Sequence, residues 1–207
     1  MVSQRVLMSA TTIGGAVIFM CTLMYLAYYM GIETTQSSMD VYIMSKCPDA
    51  QRAMNELVYP ALEKVGFKAK LNFEVIGIYN HDEIVCKHGT SECDGNEWIL
   101  AVQSLYGVKQ TAMFTRCVLR RYEEVPLQGL LVDCAKEAGV SASRIQAEVK
   151  VHGDLLLLKS VLRSSQREVL YSATINIDDR LWCIVDNGIR RECKGDADDL
   201  ARAIKAG

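Results

Sequence analysis

Proline is scarce in this chain of 207 residues: Pro48, Pro60 and Pro126 are the only three, and none follows position 126. No late turn can therefore rest on a cis-proline, which is normally a fixed structural device. A charge excess is also missing. Lys and Arg number 23 against 25 Asp and Glu, a formal charge of −2. No basic face argues for nucleic acid. Low-complexity stretches, charge blocks and internal repeats are absent, as is any Asn-x-Ser/Thr sequon. So are a P-loop, a dinucleotide fingerprint and a Ser-His-Asp signature. Nothing in the sequence points to a bound cofactor.

Charged side chains are absent from residues 6–32. A helix needs roughly 20 apolar residues to cross the hydrocarbon core. A secretory signal has a shorter apolar run, about 7–15 residues, and then a small-residue cleavage site. This run is too long for that, and no clear site follows. Residues 1–32 are expected to form an N-terminal signal anchor, a single transmembrane helix. A cleaved signal and a buried core helix are the alternatives. Tyr25, Tyr28 and Tyr29 cluster near its end, as interfacial aromatics do. Arg5 precedes the run, and Glu33 and Asp40 follow it. The positive-inside tendency then leaves the rest of the chain lumenal or extracellular. Residues 33–38, "ETTQSS", read as a short linker, and residues 39–207 as one domain.

Of eight cysteines, Cys21 lies in the apolar run. The other seven are Cys47, Cys86, Cys93, Cys117, Cys134, Cys183 and Cys193. An oxidising compartment favours disulfides at this density. Seven is odd, so at least one thiol is left over.

Residues 40–44 read as a buried strand. Residues 48–65 carry the strongest helical pattern, with Ala50, Ala53, Met54, Leu57, Val58, Ala61, Leu62 and Val65 on one face. Pro48 suits its first turn and Gly66 its stop. A second strand is expected over 71–78 and a turn-rich loop over 79–96. Helical pieces follow near 97–106, 111–122, 127–138 and 143–164. Strands at 171–177 and 181–185 form a hairpin. A last helix starts near Ala197, capped by Asp196, with Asp199 in its first turn. Strand–helix–strand implies a parallel pair, and the hairpin makes the sheet mixed. The order fits a thioredoxin-like α/β domain with a helical insertion over about 97–166, though ferredoxin-like and other α/β sandwiches share it.

Two stretches carry chemistry. In "VYIMSKCPDAQ" a short apolar run delivers Cys47 to the first turn of a helix. Unpaired N–H groups and the helix dipole favour a thiolate there. Lys46 assists by charge and Asp49 opposes. Redox sites usually carry a second cysteine three residues on, but that position is Ala50. Cys47 is the candidate catalytic residue. The plainer alternative is a small buried or disulfide-paired cysteine. In "CKHGTSECDGN", Cys86 and Cys93 flank a glycine-containing turn that would let a disulfide close a small loop. His81, Cys86, His88 and Cys93 could instead offer four zinc ligands. Their spacing is not that of a zinc finger, and oxidising compartments disfavour thiolate sites, so no metal is expected.

This second stretch resembles the signature of the gamma-interferon-inducible lysosomal thiol reductase family, C-Q-H-G-x-x-E-C-x-x-N-x-x-x-x-C. Cys86, His88, Gly89, Glu92, Cys93 and Asn96 match it, Lys87 replaces its glutamine, and Ala101 stands at its last cysteine. The resemblance extends to "MSKCPDAQ", where the family has its active-site C-x-x-C, to "VDCAKEAGV" and to "WCIVDNG". The "CPDA" form and the late cysteine look most like the fungal branch. The resemblance implies a thioredoxin-like fold that reduces protein disulfides in acidic compartments, lysosome or vacuole, or elsewhere in the secretory pathway. Cys47 matches its attacking cysteine, and Ala50 its resolving one. Ala53, Ala101, Ala147 and Ala173 stand where such relatives tend to have cysteine. Thioredoxin-like enzymes also place a cis-proline before the late hairpin. Here Ser172 and Ala173 stand there, so an altered substrate-docking edge is expected. The remaining cysteines are best paired as Cys86–Cys93, Cys117–Cys134 and Cys183–Cys193, although six cysteines allow 15 pairings. Trp98 and Trp182 read as core. Three functional readings follow: a membrane-anchored thiol oxidoreductase acting on disulfide-containing proteins, a redox-inactive thioredoxin-like binding or folding-assistance module, and a cysteine-rich structural domain.

Overall fold

Val41, Tyr42 and Ile43 are consecutive and all buried. A strand whose two faces are both covered reads as a continuous apolar run, as central strands do. In the computed structural model these residues belong to β1 (Ser38–Ile43), which lies inside a five-stranded sheet of order β2-β1-β5-β6-β7. The structure describes residues 37–206 and Met20. The expected anchor over 1–32 lies outside the described residues, Met20 apart. Among the described residues no helix is long and apolar enough to cross a membrane.

β2 (Lys70–Val75) runs parallel to β1, with Val41 opposite Phe73. β5 (Thr174–Ile177), β6 (Arg180–Asp186) and β7 (Ile189–Arg191) continue the sheet antiparallel. Asp178 and Asp179 both have positive φ in the β5–β6 turn, as do Asn187 and Gly188 in the β6–β7 turn. Two-residue hairpin turns of this hand match the strand twist. The sheet is mixed, as the element order implied.

The helix expected over 48–65 forms as α1 (Pro48–Ala53), a π-helical turn (Met54–Val58) and α2 (Tyr59–Lys64). Pro60 accounts for the interruption, because it has no N–H to give to the preceding turn. All eight residues of the expected inner face are buried. After the second strand the structure departs from expectation. The segment read as a loop over 79–96 contains a small hairpin, β3 (Ile78–Asn80) and β4 (Glu83–Val85), and the start of α3 (Thr90–Leu105). Then come α4 (Val108–Arg120), a short 3-10 turn (Tyr122–Glu124), α5 (Gln128–Glu137), α6 (Ala142–Gln166) and, after the sheet closes, α7 (Ala197–Lys205). Asp196 caps α7 by accepting the N–H groups of Asp198 and Asp199, and Asp199 returns a bond to the Asp196 N–H.

Strand β2 pairs within the sheet only with β1, so its other edge needs partners. Side chains from α3 and α6 supply them. Gln103 accepts the Phe73 N–H at 2.6 Å and donates to the Phe73 carbonyl at 3.1 Å. Ser160 accepts the Val75 N–H and Ser164 donates to the Val75 carbonyl, both at 2.8 Å. Trp98, stacked on Phe114, and Trp182 are core residues.

Candidate active site

The turn between β1 and α1 carries Cys47, the candidate catalytic residue. Cys47 is the N-cap residue of α1, extended at φ −97° and ψ 123°. Its N–H donates to the Met44 carbonyl at 3.0 Å, and its own carbonyl accepts from Gln51. Among the described cysteines it alone is free, and it is buried. Its Sγ donates to the carbonyl of Ser172 at 3.3 Å. The Ser172 hydroxyl accepts the Met44 N–H at 2.9 Å. Ser172 thus holds the turn at both ends. Its peptide bond to Ala173 is cis, so the place expected for a cis-proline has lost the proline and kept the bond geometry. Ala50 and Ala53 are both buried on α1.

Charges beside Cys47 are committed elsewhere. Lys46 donates its ammonium to the Ser91 hydroxyl at 3.0 Å. The Asp49 carboxylate accepts the N–H groups of Asn187 at 2.9 Å and Gly188 at 2.8 Å, tying α1 to the β6–β7 turn. The opposition between Asp49 and Cys47 expected from sequence is therefore shared with two backbone donors. The Tyr122 phenol is pushed above its ordinary value by desolvation, then by Glu123, with a small contribution from Cys47.

The signature stretch braces this turn. Cys86 and Cys93 are joined in a disulfide, as are Cys117 and Cys134, and Cys183 and Cys193. Two of the four weighed zinc ligands are thereby consumed. His88 is held by Glu92 through its ring Nδ1, and its N–H also donates to that carboxylate at 3.3 Å. His81 is exposed. Among the described residues no group of three or more His, Cys, Asp and Glu is placed to hold a metal. Asn96 accepts the Ser45 N–H at 2.9 Å, and Ser45 donates its hydroxyl to the Glu92 carbonyl at 3.0 Å. Gly95 lets α3 approach this closely, since a Cβ there would lie 2.7 Å from the Ser45 hydroxyl. Glu92, Asn96 and Gly95 act through Ser45, which stands two residues before the thiol.

A cavity of about 180 Å³ opens over Cys47, with Met44, Lys87, His88, Tyr171, Ser172 and Asn187 among its walls. Sequence reasoning named Cys47 and the signature residues but not Ser45, Lys87, Tyr171 or Asn187 as parts of one site. Only tertiary contact unites them, because they come from four separate segments.

The model of the family described as Gamma interferon inducible lysosomal thiol reductase (GILT) matches residues 38–138. A search of curated proteins gives no match. Among solved structures, Chlamydia trachomatis DsbA is similar at TM-score 0.55 and 14 % identity, over 81 % of this chain and 84 % of that one. The thiol-disulfide exchange protein alpha-DsbA2 from Wolbachia pipientis gives 0.54 and 16 %, over 84 % and 83 %. Oxidised BdbD from Bacillus subtilis gives 0.53 and 16 %, over 84 % and 89 %. Identities this low speak for the fold alone. Over residues 38–138 the chain thus matches the gamma interferon inducible lysosomal thiol reductase family, its signature residues brace Cys47, and its fold is thioredoxin-like.

Proposed function

We propose that this domain exchanges disulfides with protein substrates through Cys47 acting as a single thiol. Its thiolate attacks one sulfur of a substrate disulfide. The substrate S–S bond breaks, and the departing sulfur carries away the electron pair. The product is a mixed disulfide between Cys47 and the substrate. With Ala50 at the resolving position, release falls to external low-molecular-weight thiols: one attacks the Cys47 sulfur and expels the substrate as a thiolate, and a second reduces the resulting Cys47–small-thiol disulfide to free Cys47. The observation that carries this reading is the placement of a free cysteine at the first turn of α1, beneath a cavity and hydrogen-bonded to Ser172.

A second reading is favoured by Ala50. Lacking an internal resolving thiol, the domain retains its partners and assists their folding without turnover. Three disulfides support an oxidising compartment, secretory or lysosomal. The anchored arrangement belongs to this proposal: an apolar span over 1–32, a linker over 33–38 and one lumenal domain over 39–207.

The test is adduct formation. The native protein is mixed with a disulfide-bearing polypeptide, quenched with acid and mapped by mass spectrometry. A mixed disulfide at Cys47, absent from Cys47→Ser, is the expected result. Alkylation of Cys47 no faster than in the urea-unfolded chain, with no adduct, would sink the exchange reading and leave the redox-inactive module. Turnover by added small thiol separates the enzyme from the retaining module.

A further inference from the structure

The Cys47 thiol places its proton in a hydrogen bond to the Ser172 carbonyl. A carbonyl oxygen accepts such a bond but does not carry the proton away. Attack on a disulfide needs the thiolate, so the proton must pass to a base that shares the cavity.

Besides Cys47, the ionisable walls of that cavity are Asp49, Lys87, His88, Tyr171 and Asp186. Asp49 already accepts the N–H groups of Asn187 and Gly188. Asp186 faces the Arg191 guanidinium at 3.2 Å and accepts from the Asn187 amide at 3.1 Å. Lys87, Tyr171 and the neighbouring Lys46 enter as donors. His88 differs from all of these. Its Nδ1 is bonded to Glu92, and an ionised carboxylate only accepts, so Nδ1 carries the hydrogen. In the neutral ring the lone pair then lies on Nε2, which has no partner among the described residues. Glu92 is fully buried and also takes the His88 backbone N–H at 3.3 Å, so both of its oxygens grip this residue. A nucleophile, a base beside it and a third group that orients the base is the arrangement that activates weak nucleophiles.

We propose that His88 is the proton carrier of the exchange reaction, with its tautomer set by Glu92. The proposal rests on Cys47 as the attacking thiol. Nε2 takes the Cys47 proton, and the thiolate bonds to one substrate sulfur. The other substrate sulfur leaves with the electron pair of the broken S–S bond. The imidazolium then gives its proton to that sulfur. The products are the mixed disulfide, a neutral substrate thiol and a neutral ring. Glu92 touches neither sulfur and is a positioning residue.

The test follows formation of the Cys47 adduct with a dialkyl disulfide, whose leaving thiolate is strongly basic and most needs a proton. Rates for the native full chain are compared with those of His88→Asn, whose amide can still donate to Glu92 but which lacks Nε2. At about pH 6 the variant should be about a hundredfold slower, the low end for general acid–base catalysis. By about pH 9.5 the two should converge, because solvent base then ionises the thiol directly. Free imidazole should restore the variant's rate at the lower pH in proportion to its concentration. Thermal melting confirms that the variant folds. A variant as fast as the native chain at the lower pH overturns the carrier. The same slowing at every pH also overturns it, because His88 would then only hold the fold. The native chain gives a reading that needs no variant. If its rate rises only through the range of an ordinary thiol, about pH 8.5, the carrier is again overturned. No adduct from the native chain at any pH refutes Cys47 as nucleophile and the carrier with it, whereas a reactive native chain matched by His88→Asn refutes the carrier alone.

Discussion

The sulfur of Cys47 lies 3.3 Å from the carbonyl oxygen of Ser172, and the hydroxyl of that serine takes the Met44 N–H. The thiol is thus oriented by the loop before β5, with no second thiol in its own helix. Ala50, three residues along α1, is fully buried in the resolving position. Its replacement by cysteine is a direct test of what is missing. In Ala50→Cys the added thiol can attack the mixed disulfide from within, releasing the substrate and closing an internal bridge to Cys47. With a protein disulfide as substrate and a small thiol as reductant, the variant should turn over repeatedly. The native chain should turn over more slowly, because each adduct waits for attack by the small thiol. Equal steady-state rates for the two would show that Ala50 does not limit the reaction.

Much of this arrangement is legible in the sequence, because local rules govern it. The inner face of 48–65 follows helical spacing, Asp196 caps where a cap belongs, and the order of elements implies the mixed sheet. The stretch 79–96 is not legible in the same way. Its glycines and polar residues read as a loop, yet from Thr90 onward it is helix α3. Gly95 is small there because Ser45 passes close by, a reason invisible in a local window. The cis bond at Ser172–Ala173 is equally hidden, since its usual marker is proline. Asp49 reads as an opposing charge and is found bonded to a turn 138 residues away.

Gly95 should resist replacement. Alanine would gain about 0.5–1 kcal/mol of helix propensity over glycine. Against this, the new Cβ meets the Val125 side chain and would stand 2.7 Å from the Ser45 hydroxyl. Overpacking of this kind costs about 1–3 kcal/mol, so packing wins. Gly95→Ala should lower the Tm by a few degrees, and Gly95→Val by more. Displacement of Ser45 should also change the alkylation rate of Cys47. A Tm raised by the alanine would show that the contact relaxes freely.

Glu92 is fully buried and has the His88 ring as its side-chain partner. Removing that ring leaves a buried carboxylate short of a partner, a loss worth about 1–3 kcal/mol. His88→Ala should therefore destabilise the domain. Glu92→Gln in the same chain removes the buried charge and should recover part of the loss, a non-additivity expected of residues in contact. Urea unfolding of both single variants and the double variant measures it. Strict additivity would mean that the contact between His88 and Glu92 contributes nothing.

Glu97 predicts how the domain responds to acid. It sits partly buried where α3 meets α6, and a Cβ on Gly153 would lie 2.8 Å from its Oε2. Burial first, then Asp154 and Asp94, push its carboxyl from 4.5 up to about 7. Between those values the folded chain holds a proton that the unfolded chain has released. The stability it contributes is complete below pH 4.5 and is lost as pH rises through about 7. A shift of that size would be worth about 3 kcal/mol in a dry site. Solvent screening at this partly exposed position reduces it to about 1 kcal/mol. Glu97→Gln keeps the shape and removes the charge. At pH 7.5 the variant should melt about 2–4 °C above the native chain, and at pH 4 or below the two should coincide. An identical difference at both pH values would assign the effect to packing rather than to this proton.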